Sequence, residues 1–396
     1  MQSFANHAYW LPSDNANFCQ QSLTWELQTL WENVFAIEID GIAPKEPLLS
    51  FMPKPETDNR KIQMADIARL AGVSTSTVSR ALNGSPLINE ETRLRITELA
   101  RSLSYTINLS AKNLRSGENR TVGVVIPYLR DNRQHVTDPF FLGMLGSLAD
   151  HLTDQNFDLL FSRIEADAID DVASLIDSGR VCGVIIIGQW GQHDRLNQLA
   201  RRQVPFVVWG GQLPQQMYCS VGSDNFNGGL LATEHLLNLG RKRIVFMGDR
   251  DATEVQQRYQ GYLAAHAAKG IQPDPNLYLP SSFTELQAQK AMHEFLQRGI
   301  PFDGLFAASD LIAINAMGVM GAHNINIPKD VSVVGYDDVG MAAHSFPPLT
   351  TIRQPIDLAG GALMDCLLQV IRQGHANPQV VPTELVVRAS TSALGN

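Results

Sequence analysis

Two short apolar repeats joined by a glycine, in MADIARLAGVSTSTVSRALN (64–83), constrain this chain more than any other stretch. Met64, Ile67, Ala68 and Ala71 share one face at helical spacing, and Gly72 follows where a helix must stop and the backbone can take positive φ. Ser74 or Thr75 can cap a second helix whose inward face is Val78, Ala81 and Leu82. A small residue ahead of the glycine (Ala68) and a branched one after it (Val78) are what two crossing helices need, so the spacing predicts a helix-turn-helix. Outward-facing Thr75, Ser76, Thr77, Ser79 and Arg80 would then offer hydroxyls and a guanidinium to phosphates and base edges. The bland alternative is a plain helical hairpin in an enzyme, which has no need of such a polar outer face.

Charge supports the first reading. The 396 residues carry a formal net charge of -9, yet residues 60–120 hold ten Lys and Arg against five Asp and Glu, a local balance of +5. A basic module therefore sits on an acidic body, in a chain long enough for about two to three domains. Beyond the turn, Asn89 ahead of Glu90 and Glu91 reads as a helix cap with acids in the first turn. Leu94, Ile96, Leu99, Ala100 and Leu103 read as the inward stripe of that third helix. The polar stretch 108–118, with Ala111, Leu114 and Gly117, is too short to be helical without help from DNA or a partner chain. Residues 1–60 are the least legible, polar and then broken by Pro44, Pro47, Pro53 and Pro55. Leu23, Leu27, Leu30, Trp31 and Val34 allow an amphipathic docking helix over 22–35; a weakly folded extension, or a start at Met52, are the alternatives.

From Thr121 onward apolar runs alternate with amphipathic helices. VGVVIP (122–127), FDLLFS (157–162), CGVIIIG (182–188) and PFVVWG (205–210) form one set; RIVFMGD (243–249), GLFAAS (304–309) and VSVVGYDD (331–338) form a second. Continuous apolar strands between helices mean parallel strands covered on both faces, which predicts two α/β lobes of doubly wound parallel sheet. Ligands of such sheets lie beyond the carboxyl ends of strands, a rule that selects Asp138, Trp209, Asp224, Asp249, Asp310, Asp337 and Asp338. Carboxylates with an aromatic ring suit neutral polyhydroxylated ligands. Asp224 and Asp337 could instead cap helices, Arg258 could pair with Glu254 one turn earlier, and Phe283 could be core.

Other chemistries are not indicated. Cys19, Cys182, Cys219 and Cys366 lack metal-ligand or CxxC spacing and read as reduced thiols of a cytosolic protein. The chain shows neither a membrane-spanning apolar run nor a secretory N-terminus. Neither GxSxG nor HExxH occurs and the histidines are ungrouped, so neither catalysis nor a metal is expected. Gly228-Gly229 opens a helix without the GxxxxGK pattern, so no cofactor is expected.

IQMADIARLAGVSTSTVSRALNGSPLINEETRLRI (62–96) resembles the DNA-binding headpiece of the lactose repressor/galactose repressor family of bacterial transcription regulators. DPFF (138–141), SDNFNGGLLATEHLLNLGRKRIVFMG (223–248), RYQGY (258–262), FAASDLIAINAMGVM (306–320), IPKDVSVVGYDD (327–338) and PPLTTIRQP (347–355) continue the resemblance in order. It implies an all-α headpiece at 61–107, a hinge at 108–120 and a periplasmic-binding-protein-like core at 121–396, behind the extension at 1–60. The two lobes of that core are expected at about 121–236 with 353–383 and 237–352 with 384–396. By the same resemblance Thr75, Ser76 and Arg80 contact bases, Ser74, Thr77, Ser79 and Asn83 contact phosphates, and Leu114 wedges into the minor groove. Asp138, Arg258, Phe283, Asp310 and Asp337 fall on effector-pocket positions, with Phe283 as the stacking ring. Ile107 in place of a proline, Lys112 in place of an arginine and Ser309 in place of an asparagine depart from the family pattern. The implied partners are double-stranded operator DNA, a small effector of sugar type, and a second copy in a homodimer or tetramer. The implied function is transcription regulation, most simply repression of a sugar-use operon; an activator with the same sites and a solute-binding protein are the alternatives.

Overall fold

A computed structural model of the chain describes residues 62–82, 84–103, 105, 119–130 and 134–394. The extension with its docking helix, Asn83, and the hinge up to residue 118, with Ile107, Lys112 and Leu114, lie outside the described residues. The chain divides into two compact units, one ending at Thr106 and one beginning at Ile107.

The first unit is a three-helix bundle: α1 (Met64–Ala71), α2 (Thr75–Leu82) and α3 (Glu90–Ser102). Gly72 takes φ 65° and its N–H caps the carbonyls at the end of α1, as a helix followed at once by a turn requires. Ser74 is the residue that caps α2, its Oγ accepting the Thr77 N–H at 3.1 Å. Asn89 Oδ1 accepts the Thr92 N–H at 2.8 Å and opens α3. Ile67, Ala68, Val78, Ala81, Ile96 and Ala100 form the buried core. Leu94 departs from expectation and is exposed. It stands two residues from Ile96, about 200° around the helix, so the two cannot share a face.

The second unit holds two six-stranded sheets. The first has β1 (Thr121–Tyr128), β2 (Asp158–Glu165), β3 (Gly183–Ile187), β4 (Phe206–Trp209), β5 (Cys219–Ser223) and β11 (Gln379–Val381), in the order β11-β5-β4-β3-β1-β2. The second has β6 (Ile244–Met247), β7 (Tyr278–Leu279), β8 (Gly304–Ala307), β9 (Ser332–Asp337), β10 (Thr350–Arg353) and β12 (Glu384–Val386), in the order β12-β10-β9-β8-β6-β7. Every pairing is parallel except β10 with β12.

The chain crosses between lobes three times, and the first crossing differs from expectation. Helix α7 (Asn225–Asn238), counting α4 (Pro139–Asp154), α5 (Val172–Asp177) and α6 (His193–Arg201) before it, buries Ala232 and Leu236 in the second lobe's core, not the first's. The crossing therefore falls just after Ser223, at the end of β5, and not near residue 236. Helix α7 packs on α8 (Thr253–Ala268) at a backbone-to-backbone contact: a Cβ on Gly229 would stand 2.1 Å from the Arg258 carbonyl oxygen, and one on Gly261 2.1 Å from that of Phe226. Two glycines at this crossing set where the helix carrying Arg258 lies. The chain returns to the first lobe through α11 (Ile356–Gln373), after α9 (Glu285–Gln297) and α10 (Asp310–Ala322), burying Leu363, Met364 and Leu367 there.

Candidate DNA interface and ligand cavity

On α2 the apolar and polar faces are separated cleanly. Val78 and Ala81 are buried while Ser74, Thr75, Ser76 and Arg80 are exposed, with Thr77 and Ser79 half-buried beside them. Ser74 Oγ also lies 2.8 Å from the Ser76 and Thr77 hydroxyls, so the start of the helix presents a hydroxyl cluster. Helix N-termini and hydroxyls of this kind suit phosphate oxygens, and a guanidinium one turn further suits a base edge.

In the second unit a cavity of about 240 Å³ opens between the lobes. The first lobe supplies Asp138, Phe140, Gln189, Trp190 and Trp209; the second supplies Asp249, Glu254, Arg258, Phe283 and Asp337; Gln354 comes from the second crossing. Asp138 caps α4 through the Phe140 N–H at 2.9 Å and accepts from Gln134 Nε2 at 2.7 Å. Asp337 sits at φ 117°, a left-handed conformation that costs a non-glycine residue about 1–3 kcal/mol, and Gln354 Nε2 donates to its Oδ1 at 2.6 Å. Arg258 donates to Asn225 Oδ1 at 2.9 Å and to the Ala308 carbonyl at 2.5 Å, with its guanidinium 3.7 Å from the Tyr336 ring centre. Burial pushes the Asp138 and Glu254 carboxyls up from their ordinary range and Asp337 up to about 7, against the opposing pull of Arg258.

The comparisons bear on both halves. Residues 63–108 match the family described as bacterial regulatory proteins, lacI family, and residues 233–391 match the periplasmic binding protein-like domain. The HTH-type transcriptional regulator CelR of Thermobifida fusca is 32% identical over 340 residues, which span 84% of this chain and 98% of CelR. The chain belongs to the LacI family of bacterial regulatory proteins. The HTH-type transcriptional repressor CytR of Escherichia coli K12 is 29% identical across 84% of this chain and 96% of its own. Among solved structures, the lac repressor dimer bound to operator and the anti-inducer ONPF aligns with a TM-score of 0.74 at 26% identity, over 84% of this chain and 100% of that one. A CelR–cellobiose complex aligns with a TM-score of 0.62 at 31% identity, over 83% and 99%. These LacI-family relatives are transcriptional regulators. No helix among the described residues is long and apolar enough to cross a membrane.

Of the pocket residues expected in this LacI-family chain, Asp138, Arg258, Phe283 and Asp337 line the cavity and Asp310 does not. Asp310 is fully buried behind the wall, where Thr351 donates to its Oδ1 at 2.5 Å and the Val339 N–H to its Oδ2 at 2.9 Å. One oxygen thus holds the loop that follows Asp337 and the other is engaged by β10, a positioning role. Burial, and then the neighbouring Asp337 charge, push Asp310 well above the usual carboxylate range. Asp224 caps α7 through the Asn227 N–H, and Asp338 is ion-paired to Arg353 and Arg388, so neither faces the cavity. Arg258 makes its hydrogen bonds to Asn225 and Ala308 rather than to Glu254. Sequence reasoning missed Gln189, Trp190, Glu254 and Gln354 as lining residues. Gln354 lies within PPLTTIRQP (347–355), and the sequence offers Glu254 only as an ion-pair partner of Arg258. Trp190 follows a strand end, in the short GQWG turn where Gly188, Trp190 and Gly191 all take positive φ.

Proposed function

We propose that this protein is a cytoplasmic, homodimeric transcription repressor that binds a pseudo-palindromic operator through α2 and responds to a neutral sugar or sugar derivative held between the lobes. The observation that carries the DNA half is the exposed face of α2, where Thr75, Ser76 and Arg80 are presented by a helix whose opposite face is fully used as core. Ser74, Thr77, Ser79 and Asn83 are assigned to phosphates and Leu114 to the minor groove. The ligand half is supported by the cavity chemistry: carboxylates and amides accept hydroxyls, Trp190, Trp209 and Phe283 cover apolar sugar faces, and Arg258 donates. That a CelR relative holds cellobiose supports the same class. A headpiece that reads a few base pairs gains specificity by two-fold pairing, hence the dimer and the palindrome. Catalysis is not part of the reading.

Selection of duplexes from a randomised pool, followed by melting of the protein with cellobiose, glucose, galactose and ribose, tests both halves. The expected result is an enriched inverted repeat and a raised melting temperature with one or more sugars, since a ligand selective for the folded state stabilises it by mass action. Enrichment of no common sequence would overturn the DNA half, and no stabilisation by any neutral sugar the ligand half.

A further inference from the structure

Two cysteines far apart in sequence meet in the first lobe. Cys219 opens β5 and Cys366 lies within α11, and both are free thiols. Both sulfurs lie against one atom, the Asn377 carbonyl oxygen, at 3.5 Å from Cys219 and 3.8 Å from Cys366. Gln379, the first residue of β11, adds a third polar contact, its Nε2 donating to the Cys366 sulfur at 3.2 Å. The two thiols are not equivalent. The Cys219 thiol and, more weakly, Gln379 draw Cys366 below the ordinary thiol range against burial, whereas the same contact and burial push Cys219 up. A donor aimed at a sulfur favours the thiolate, which is the nucleophilic form. The pair is sealed without being deep. Cys219 is 6% exposed and Cys366 fully buried, yet Asn377 and Gln379, the residues lying on the sulfurs, are both exposed.

We infer that Cys219 and Cys366 form an oxidation site, a dithiol that a hydroperoxide converts into a disulfide in the folded protein. Cys366, with Gln379 on its sulfur, is the attacking thiol. Its sulfur forms a bond to one peroxide oxygen, the O–O bond breaks, and the departing hydroxide takes the Cys366 proton and leaves as water. Cys366 is then a sulfenic acid, oxidised by two electrons at the expense of the peroxide. The Cys219 sulfur attacks that sulfur, the S–S bond forms as the S–O bond breaks, and the second hydroxide leaves as water with the Cys219 proton. Two thiols and one hydrogen peroxide thus give one disulfide and two waters. A dithiol reductant returns the pair by exchange, as a transient disulfide in a reducing compartment requires. The bond ties β5, which ends at the first crossing between lobes, to α11, which follows the second. It closes a loop over residues 220–365 that holds β6 to β10. Neither the operator nor the sugar reading enters this inference.

The test exposes the reduced full chain, under native conditions, to hydrogen peroxide and maps its peptides by mass spectrometry without reduction. The expected product is a linked pair of peptides carrying Cys219 and Cys366, released by dithiothreitol. Closing so long a loop restricts the unfolded chain, so the oxidised protein should melt ~5 °C or more above the reduced one. With Cys219→Ser the sulfenic acid on Cys366 has no thiol to meet, and dimedone should label Cys366 there and not in the parent. Gln379→Leu, a change at an exposed residue, should slow the reaction by about 2- to 10-fold at neutral pH and move its rate profile to higher pH, with the same linked product. The linked peptides in the parent and the Gln379→Leu rate decide the matter if Cys219→Ser does not fold. Thiols that stay reduced in excess peroxide overturn the site, as does a link that joins Cys182 instead or forms only after denaturation. A linked protein that melts below the reduced one also overturns it, because the bond then forms only by distorting the fold. A Gln379→Leu variant that reacts with the parent's rate and pH profile overturns the choice of Cys366 as the attacking thiol.

Discussion

Asp337 and Arg80 show two ways in which a single side chain is made available for binding. Arg80 is held out by its helix and contributes nothing to the core, so Arg80→Ala should leave the melting temperature unchanged while weakening binding to the selected operator by ~1–3 kcal/mol. Equal operator affinity in parent and variant would remove Arg80 from the base-reading set. Asp337 is held in, with a left-handed backbone fixed from behind by Asp310 through the Val339 N–H. Its carboxyl rises from an ordinary 3.8 to about 7, so between these values the folded chain keeps a proton that the unfolded chain releases. Stability drawn from this group is therefore present at low pH and lost as pH rises toward 7, and Asp138, Glu254 and Asp310 are shifted in the same direction. Asp337→Asn should be more stable than the parent at pH 8, with the difference shrinking toward pH 5, as read by thermal melting in the absence of ligand. A difference that grows on acidification would contradict that sign.

At the scale of elements, the crossing of α7 and α8 does the positioning. Their backbones meet at Gly229 and Gly261, and the same contact holds Arg258 against Asn225 and the Ala308 carbonyl. Gly261→Ala should destabilise by at least ~1–3 kcal/mol because the new methyl meets backbone that cannot yield. It should also weaken sugar binding through Arg258; a variant as stable as the parent would mean the helices can part freely. Elements legible in the sequence were those written in apolar side chains: β1, β2, β3, β4, β6, β8, β9 and the headpiece helices. β5 (CSVGS) and β10 (TTIR) were not legible because Ser and Thr are prominent among their buried positions, with hydroxyls satisfied by partners distant in sequence, as Thr351 is by Asp310 and Ser223 by Gln354. The lobe change before α7 was misplaced because a helix shows which face it buries but not which sheet it buries that face against. In the site, Asp138, Arg258, Phe283 and Asp337 could be found from strand ends and resemblance. Gln189 and Glu254 could not, since what singles them out is an unspent oxygen, a property of the folded hydrogen-bond network alone.

For the whole molecule, a three-helix unit and an α/β unit with an interlobe cavity occur on one chain, in a family of regulatory proteins. If the cavity ligand changes operator affinity, operator must change ligand affinity by the same factor, typically ~1–3 kcal/mol. The coupling needs only that the ligand prefer one arrangement of the core over another. We assign Arg258, on α8 and far along the chain from the headpiece, to the ligand half alone. The most direct measurement is fluorescence anisotropy of the selected operator titrated with parent and Arg258→Ala, each with and without a saturating concentration of the stabilising sugar. The account predicts an operator affinity for the parent that shifts by roughly 5- to 150-fold with the sugar, and for Arg258→Ala an unchanged ligand-free affinity that no longer responds. A parent protein whose operator affinity is the same with and without bound sugar would contradict it.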